Sequence, residues 1–116
     1  MRTRAVLWSL AVLAACSVPG PDLPDVGDVV LGTDKWAHAL LFAGVGWLWL
    51  RAYPGKAWAV ALGGTAYGIA IEGWQAALPI GRSGDPLDVV ADVVGLAAGI
   101  AAARWRTVRE QRSGEL

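Results

Sequence analysis

Four apolar stretches, at 5–18, 36–53, 57–78 and 87–103, leave this chain few ways to fold. A bilayer-crossing helix needs about 20 predominantly apolar residues, with a range of roughly 17–25. The last three stretches come near that length. The first is shorter and ends at the helix-breaking run Pro19-Gly20-Pro21. An acidic, proline-containing segment (19–33), the turn Pro54-Gly55-Lys56 and a loop (79–86) connect them. Only 17% of the 116 residues are charged, against about 25% in ordinary soluble domains. A globule this small has a high ratio of surface to volume and needs more polar residues, not fewer. Disorder is excluded by the 55% hydrophobic content at zero net charge. The expectation is an all-α, small polytopic membrane helical bundle. It forms one domain over 1–116, with transmembrane helices at about 5–18, 34–53, 57–78 and 87–105 and a basic tail at 106–116.

Charge distribution orients the bundle. In a four-span arrangement Arg2, Arg4, Arg51, Lys56, Arg104, Arg106, Arg109 and Arg112 fall on one side, and only Lys35 and Arg82 on the other. Short loops rich in Lys and Arg stay in the cytoplasm. Both termini and the Arg51–Lys56 turn are therefore expected inside, and the chain in the inner (cytoplasmic) membrane. The opposite side carries eight of the ten acidic residues: Asp22, Asp25, Asp28, Asp34, Glu72, Asp85, Asp88 and Asp92. Trp36 and Trp74 fall near the outer ends of their stretches, and Trp47, Trp49, Trp58 and Trp105 near the inner ends, where indoles favour the headgroup level. Trp8 fits neither belt. Gly64-x-x-x-Gly68 and Gly95-x-x-x-Gly99 place small residues on one helical face, which lets backbones approach closely in lipid.

The first stretch has two readings. A basic start, an apolar core and Leu13-Ala14-Ala15-Cys16 have the layout of a bacterial lipoprotein signal, with Cys16 as the lipidated residue and three helices remaining. The favoured alternative is a retained first helix with Cys16 as a buried small residue. With one cysteine there is no intramolecular disulfide, and no Cys/His cluster has zinc-ligand spacing.

The informative residues are the ionisable ones inside the stretches. At about 1.5 Å per residue, His38 lies roughly 6 Å in from Asp34, Glu72 roughly 9 Å from Leu78, and Asp92 roughly 9 Å from Pro86. Asp34 and His38, Glu72 and Gln75, and Asp88 and Asp92 each share a helical face. Carboxylates within a bilayer turn inward and pair, and Lys35 and Arg82 are the nearby cations. The expected object is a polar pocket between the second, third and fourth helices, open away from the cytoplasm. Each member also has a plainer role. Asp34 suits an N-cap of a helix beginning at Thr33-Asp34, Asp88 its own helix N-terminus, and Glu72 with Arg82 a structural tie.

Asp34-Lys35-x-x-His38, Glu72-x-x-Gln75, Arg82, Asp88 and Gly95-x-x-x-Gly99, in this order and spacing, resemble the VanZ-like membrane protein family. The likeness runs from about Ser17 to Ala103 and includes Ser17-x-Pro19. It implies a small bacterial membrane protein with a retained first span, and the family's namesake is associated with low-level resistance to the glycopeptide teicoplanin. Two positions depart from the family pattern: Ile71 stands where an acidic residue is common, and Asp92 where an asparagine is.

Three functions compete. The first is a non-enzymatic envelope protein whose outward pocket binds a lipid-linked or cell-wall component. The second is a membrane-embedded enzyme acting on such a precursor, with His38 or Glu72 as general base and oxygen ligands from Glu72, Asp88 and Asp92 for Mg²⁺ or Ca²⁺. Against it, the chain has no Gly-x-Ser-x-Gly elbow, His-Glu-x-x-His run or phosphate-binding loop. Transport ranks last, because the cytoplasmic half of the spans lacks polar residues. No cofactor and no nucleic-acid partner are expected; the bilayer is the primary partner, and self-association is left open.

Overall fold

The computed structural model describes residues 2–16, 29–77 and 86–112, with side chains from 36 in the second segment and from 87 in the third. Among these residues there are four helices and no strand: α1 (Arg2–Cys16), α2 (Val29–Ala52), α3 (Ala57–Ala77) and α4 (Pro86–Arg112). No helix among the described residues is long and apolar enough to cross a membrane.

Helix boundaries differ from those read in the sequence, by three residues at the start of α1 and by more at two places. α2 begins at Val29, five residues before Asp34. The apolar run Val29-Val30-Leu31 joins the helix, so Asp34 sits inside α2 and is not its N-cap. α4 continues to Arg112, so 106–112 is helix and not a separate tail. Strong helix formers and the i, i+4 pair Arg106 Nε–Glu110 Oε1 (3.2 Å) carry it on. At its other end Pro86 takes the first helical position, where a missing N–H costs nothing.

α2 and α3 are joined by a four-residue turn. Tyr53 N donates to Trp49 O (3.0 Å), Lys56 N to Tyr53 O (3.0 Å) and Val60 N to Lys56 O (2.9 Å). Pro54 stands at the second position of the turn, where its fixed φ is already suitable.

α2 and α4 form the most extensive pair, α3 packs on α4, α1 packs on α2, and α1 barely touches α3. Glycine explains the central seam. A Cβ at Gly95 would collide with the backbone of Ala39, and one at Gly99 with the backbone of Ala43. Both contacts advance four residues on each helix, so α2 and α4 run parallel with their backbones touching. On α3, a Cβ at Gly64 would lie 2.6 Å from Leu96 Cδ1, and one at Gly68 3.0 Å from Asp92 Oδ2. Here one helix advances while the other retreats, so α3 and α4 are antiparallel.

The core is built from Val12, Cys16, Phe42, Val45, Ile71 and Leu96. Phe42 and Tyr67 rings meet with centroids 6.0 Å apart. Trp8 fastens α1 to α2: its indole lies over Gly44 and Nε1 donates to Leu41 O at 2.8 Å. Trp49, partly buried, donates from Nε1 to Ser9 Oγ at 2.9 Å.

Candidate functional site: a buried histidine between two aspartates

His38 on α2 is 2% exposed, and Asp88 and Asp92 on α4 are 5% and 1% exposed. Parallel packing of α2 on α4 brings them together. His38 Nδ1 lies 2.8 Å from Asp92 Oδ1, and Nε2 lies 3.9 Å from Asp88 Oδ2. The i, i+4 spacing of the two aspartates puts both carboxylates on one face of α4, and the imidazole occupies the space between them. Gly68 allows this on the third side. Without a side chain there, the α3 backbone closes over Asp92, with Phe42 Cε1 3.5 Å from where a Cβ would stand.

Carried one turn further, the antiparallel register that pairs Gly64 with Leu96 and Gly68 with Asp92 sets Glu72 level with Asp88. Glu72 is half-buried, so α3 contributes a third carboxyl to this end of the bundle. Gln75, 1% exposed, completes the layer by donating from Nε2 to the Cys16 carbonyl at 2.9 Å. It caps the last turn of α1, whose final carbonyls have no partner within the helix. Cys16 itself is buried in the core and forms no disulfide.

Five of the eight pocket residues expected from the sequence, His38, Glu72, Gln75, Asp88 and Asp92, thus lie at one end of the molecule on three helices. Asp34 and Lys35 belong to α2, with side chains outside the described residues, and Arg82 lies outside the described residues altogether. So do Asp22, Asp25, Asp28 and Asp85. Among the described residues, no group of three or more His, Cys, Asp or Glu side chains could hold a metal ion. Glu72, Asp88 and Asp92 therefore do not form the oxygen-ligand set weighed for Mg²⁺ or Ca²⁺.

The arrangement has a definite chemistry. A 2.8 Å contact to Asp92 fixes the imidazole's rotation and gives Nδ1 an acceptor, which leaves Nε2 directed toward Asp88. A base oriented by a carboxylate is half of a nucleophile-activating set. The imidazole is held between two carboxylates in a buried site.

The opposite end is built on arginine. Arg51 forks onto Glu110, with Nη2 3.1 Å from Oε1 and Nη1 3.2 Å from Oε2, and Nη1 also reaches Thr107 Oγ1 at 3.3 Å. Hydrogen bonding from Arg51 above all, aided by Arg106, holds the Glu110 carboxyl below the usual glutamate value. Glu110 was not singled out in the sequence. Its signal was present in the Arg106/Glu110 spacing, but its main partner is 59 residues away.

Comparison with known proteins returned no matching family model, no matching curated protein and no matching solved structure.

Proposed function

We propose that this chain is a VanZ-like, multi-pass protein of the bacterial inner membrane. Its outward-facing polar pocket binds the polar group of a lipid-linked or cell-wall component and thereby alters susceptibility to teicoplanin-type glycopeptides. One observation supports the membrane part of the reading above the others: beside an apolar core, ionisable and polar side chains are buried while large apolar ones stand exposed. His38, Gln75, Asp88 and Asp92 are buried. Trp36 (71%), Trp58 (69%), Leu40, Leu62, Ile69, Leu87 and Val94 stand exposed along three helices. Water would penalise that distribution, whereas lipid favours it. Of the residues that lower the hydropathy of α2 and α4, His38, Asp88 and Asp92 are turned inward, and the arginines from Arg104 to Arg112 lie exposed at the far end of α4.

Three of the four helices have the length this reading needs, and α1, with 15 residues, is shorter than a full span. At about 1.5 Å per residue, α2, α3 and α4 extend roughly 31–40 Å, against a hydrocarbon core of about 30 Å. Arg2, Arg51, Lys56 and the arginines from Arg104 to Arg112 gather at the end opposite His38, which supports a cytoplasmic assignment for that end. The motif from Asp34 to Gly99 supports the family, and the family's association supports the antibiotic phenotype.

The test compares teicoplanin susceptibility of a bacterial host expressing the wild-type chain, His38→Ala or Asp88→Ala, with the amount of each protein in the membrane fraction measured in parallel. The reading expects a susceptibility shift with wild type that both variants abolish at unchanged membrane levels. No shift with wild type, or an equal shift with both variants, overturns the pocket's role. A second reading, catalysis with His38 as general base, is favoured by the Asp92 contact that orients the ring. It predicts turnover of a labelled lipid-linked precursor in proteoliposomes that His38→Ala abolishes while binding survives.

A further inference from the structure

A second concavity lies at the other end of the molecule, where α1 and α3 diverge over α2. It has a volume of about 570 Å³, within the range of roughly 300–1,000 Å³ typical of small-molecule sites. One stripe from each helix lines it, including Leu10 and Leu13 of α1, Val45 and Trp49 of α2, and Val60 and Gly63 of α3. The polar atoms of Ser9, Trp49 and Tyr67 in its walls bond within the protein. Tyr67 Oη donates to Ser9 O, Trp49 Nε1 donates to Ser9 Oγ, and Ser9 Oγ donates to Ala5 O. The interior therefore offers an occupant mainly apolar surface, with the Tyr53 hydroxyl and Lys56 as the other polar groups of the lining.

One end is different. Lys56 lines the cleft at the start of α3, and Arg2 lies beside it, its guanidinium 5.4 Å from the centroid of the Tyr53 ring. From Lys56 to Tyr67, at the far end, the helical rise of about 1.5 Å per residue gives roughly 16 Å, half of a hydrocarbon core of about 30 Å. The cleft is one leaflet deep, apolar along its length and cationic at its mouth.

We infer that this cleft holds one acyl chain of an anionic phospholipid from the leaflet on the Lys56 side, with the headgroup phosphate between Lys56 and Arg2. The inference rests on the membrane reading above and assigns a site distinct from the His38 pocket. Length, apolar walls and the position of the two cations each match one part of such a lipid. Gly63 supplies the means of testing it. A Cβ at Gly63 would meet nothing within 4 Å, so a larger side chain there fills the cleft without displacing a helix.

The experiment reconstitutes the full chain in phosphatidylcholine vesicles doped with a photoactivatable lipid carrying a diazirine in its acyl chain. The doping lipid is either phosphatidylglycerol or phosphatidylcholine, and labelled peptides are mapped after irradiation. Phosphatidylglycerol is expected to label the Leu10–Leu13 and Val60–Gly63 segments several-fold more than phosphatidylcholine. Gly63→Leu should reduce that labelling to the level of the outer helix faces, and Lys56→Glu combined with Arg2→Glu should remove the headgroup preference while acyl labelling persists. Labelling unchanged by Gly63→Leu, or equal for the two headgroups in wild type, overturns the proposal. Alkaline carbonate extraction of the same vesicles separates the two levels. A chain that stays with the lipid but is unlabelled sinks the cleft alone, and a chain that washes off sinks the membrane reading as well.

Discussion

At the scale of single residues, the same substitution should have opposite signs at two glycines. Gly95 lies against the Ala39 backbone, which cannot rotate away as a side chain would, so Gly95→Ala has to push α2 from α4. Overpacking of this kind costs about 1–3 kcal/mol. Gly73 lies on the exposed face of α3 with nothing within 4 Å of a Cβ, so Gly73→Ala gains only helix propensity and stabilises by up to about 1 kcal/mol. Thermal unfolding of both variants in one detergent decides this; two shifts in the same direction would contradict the seam. Residue-scale features were unevenly legible in the sequence. Depth along the helices was enough to gather His38, Glu72 and Asp92 into one layer, because rise per residue is nearly constant. It could not show that His38 contacts Asp92 more closely than Asp88, or that Gln75 reaches the Cys16 carbonyl, because those depend on how each helix is rotated about its axis.

At the scale of elements, the end of α4 should respond to acid. Glu110 has a lowered pKa, chiefly through the Arg51 hydrogen bonds, so its ionised form is favoured in the folded state. A depressed carboxylate contributes stability that is fully present above its unfolded value and fades as pH falls through the folded one. The last two turns of α4 should therefore be protected from hydrogen exchange at neutral pH and lose protection selectively below about pH 4, near the ordinary carboxylate range. Glu110→Gln should exchange quickly at both pH values; equal protection in wild type and variant would show that Arg51 does not hold this end. The same helix illustrates what limited the sequence reading. α3, bounded by Pro54-Gly55 and apolar almost throughout, was legible to within a residue at each described end. The end of α4 was not, because Arg106, Arg109 and Arg112 read as a solvated tail when only hydropathy is followed. At the start of α2, the polar pair Asp34-Lys35 looked like a boundary although the apolar run Val29-Val30-Leu31 continues the helix beyond it.

At the scale of the whole molecule, the two ends differ in kind, which makes the orientation proposed above measurable. The bundle is 51 Å long and about half that across, with buried carboxyls and an imidazole near one end and arginines at the other. An inward-facing arginine end predicts that the Pro54-Gly55 turn lies on the cytoplasmic side and the end of α3 near Ala77 on the outside. Cys16 is the chain's one cysteine, so a Cys16→Ala background gives clean single-cysteine variants. Gly55→Cys is suitable because the turn is exposed and a Cβ there meets nothing within 4 Å; Ala77→Cys is suitable because that residue is exposed at the end of its helix. A membrane-impermeant maleimide applied to intact spheroplasts should label Ala77→Cys at once and Gly55→Cys only after permeabilisation. The reversed pattern would turn the His38 layer toward the cytoplasm and remove its access to envelope components. Labelling of both without permeabilisation would place both ends on the same side of the bilayer, which an α3 that crosses it cannot do.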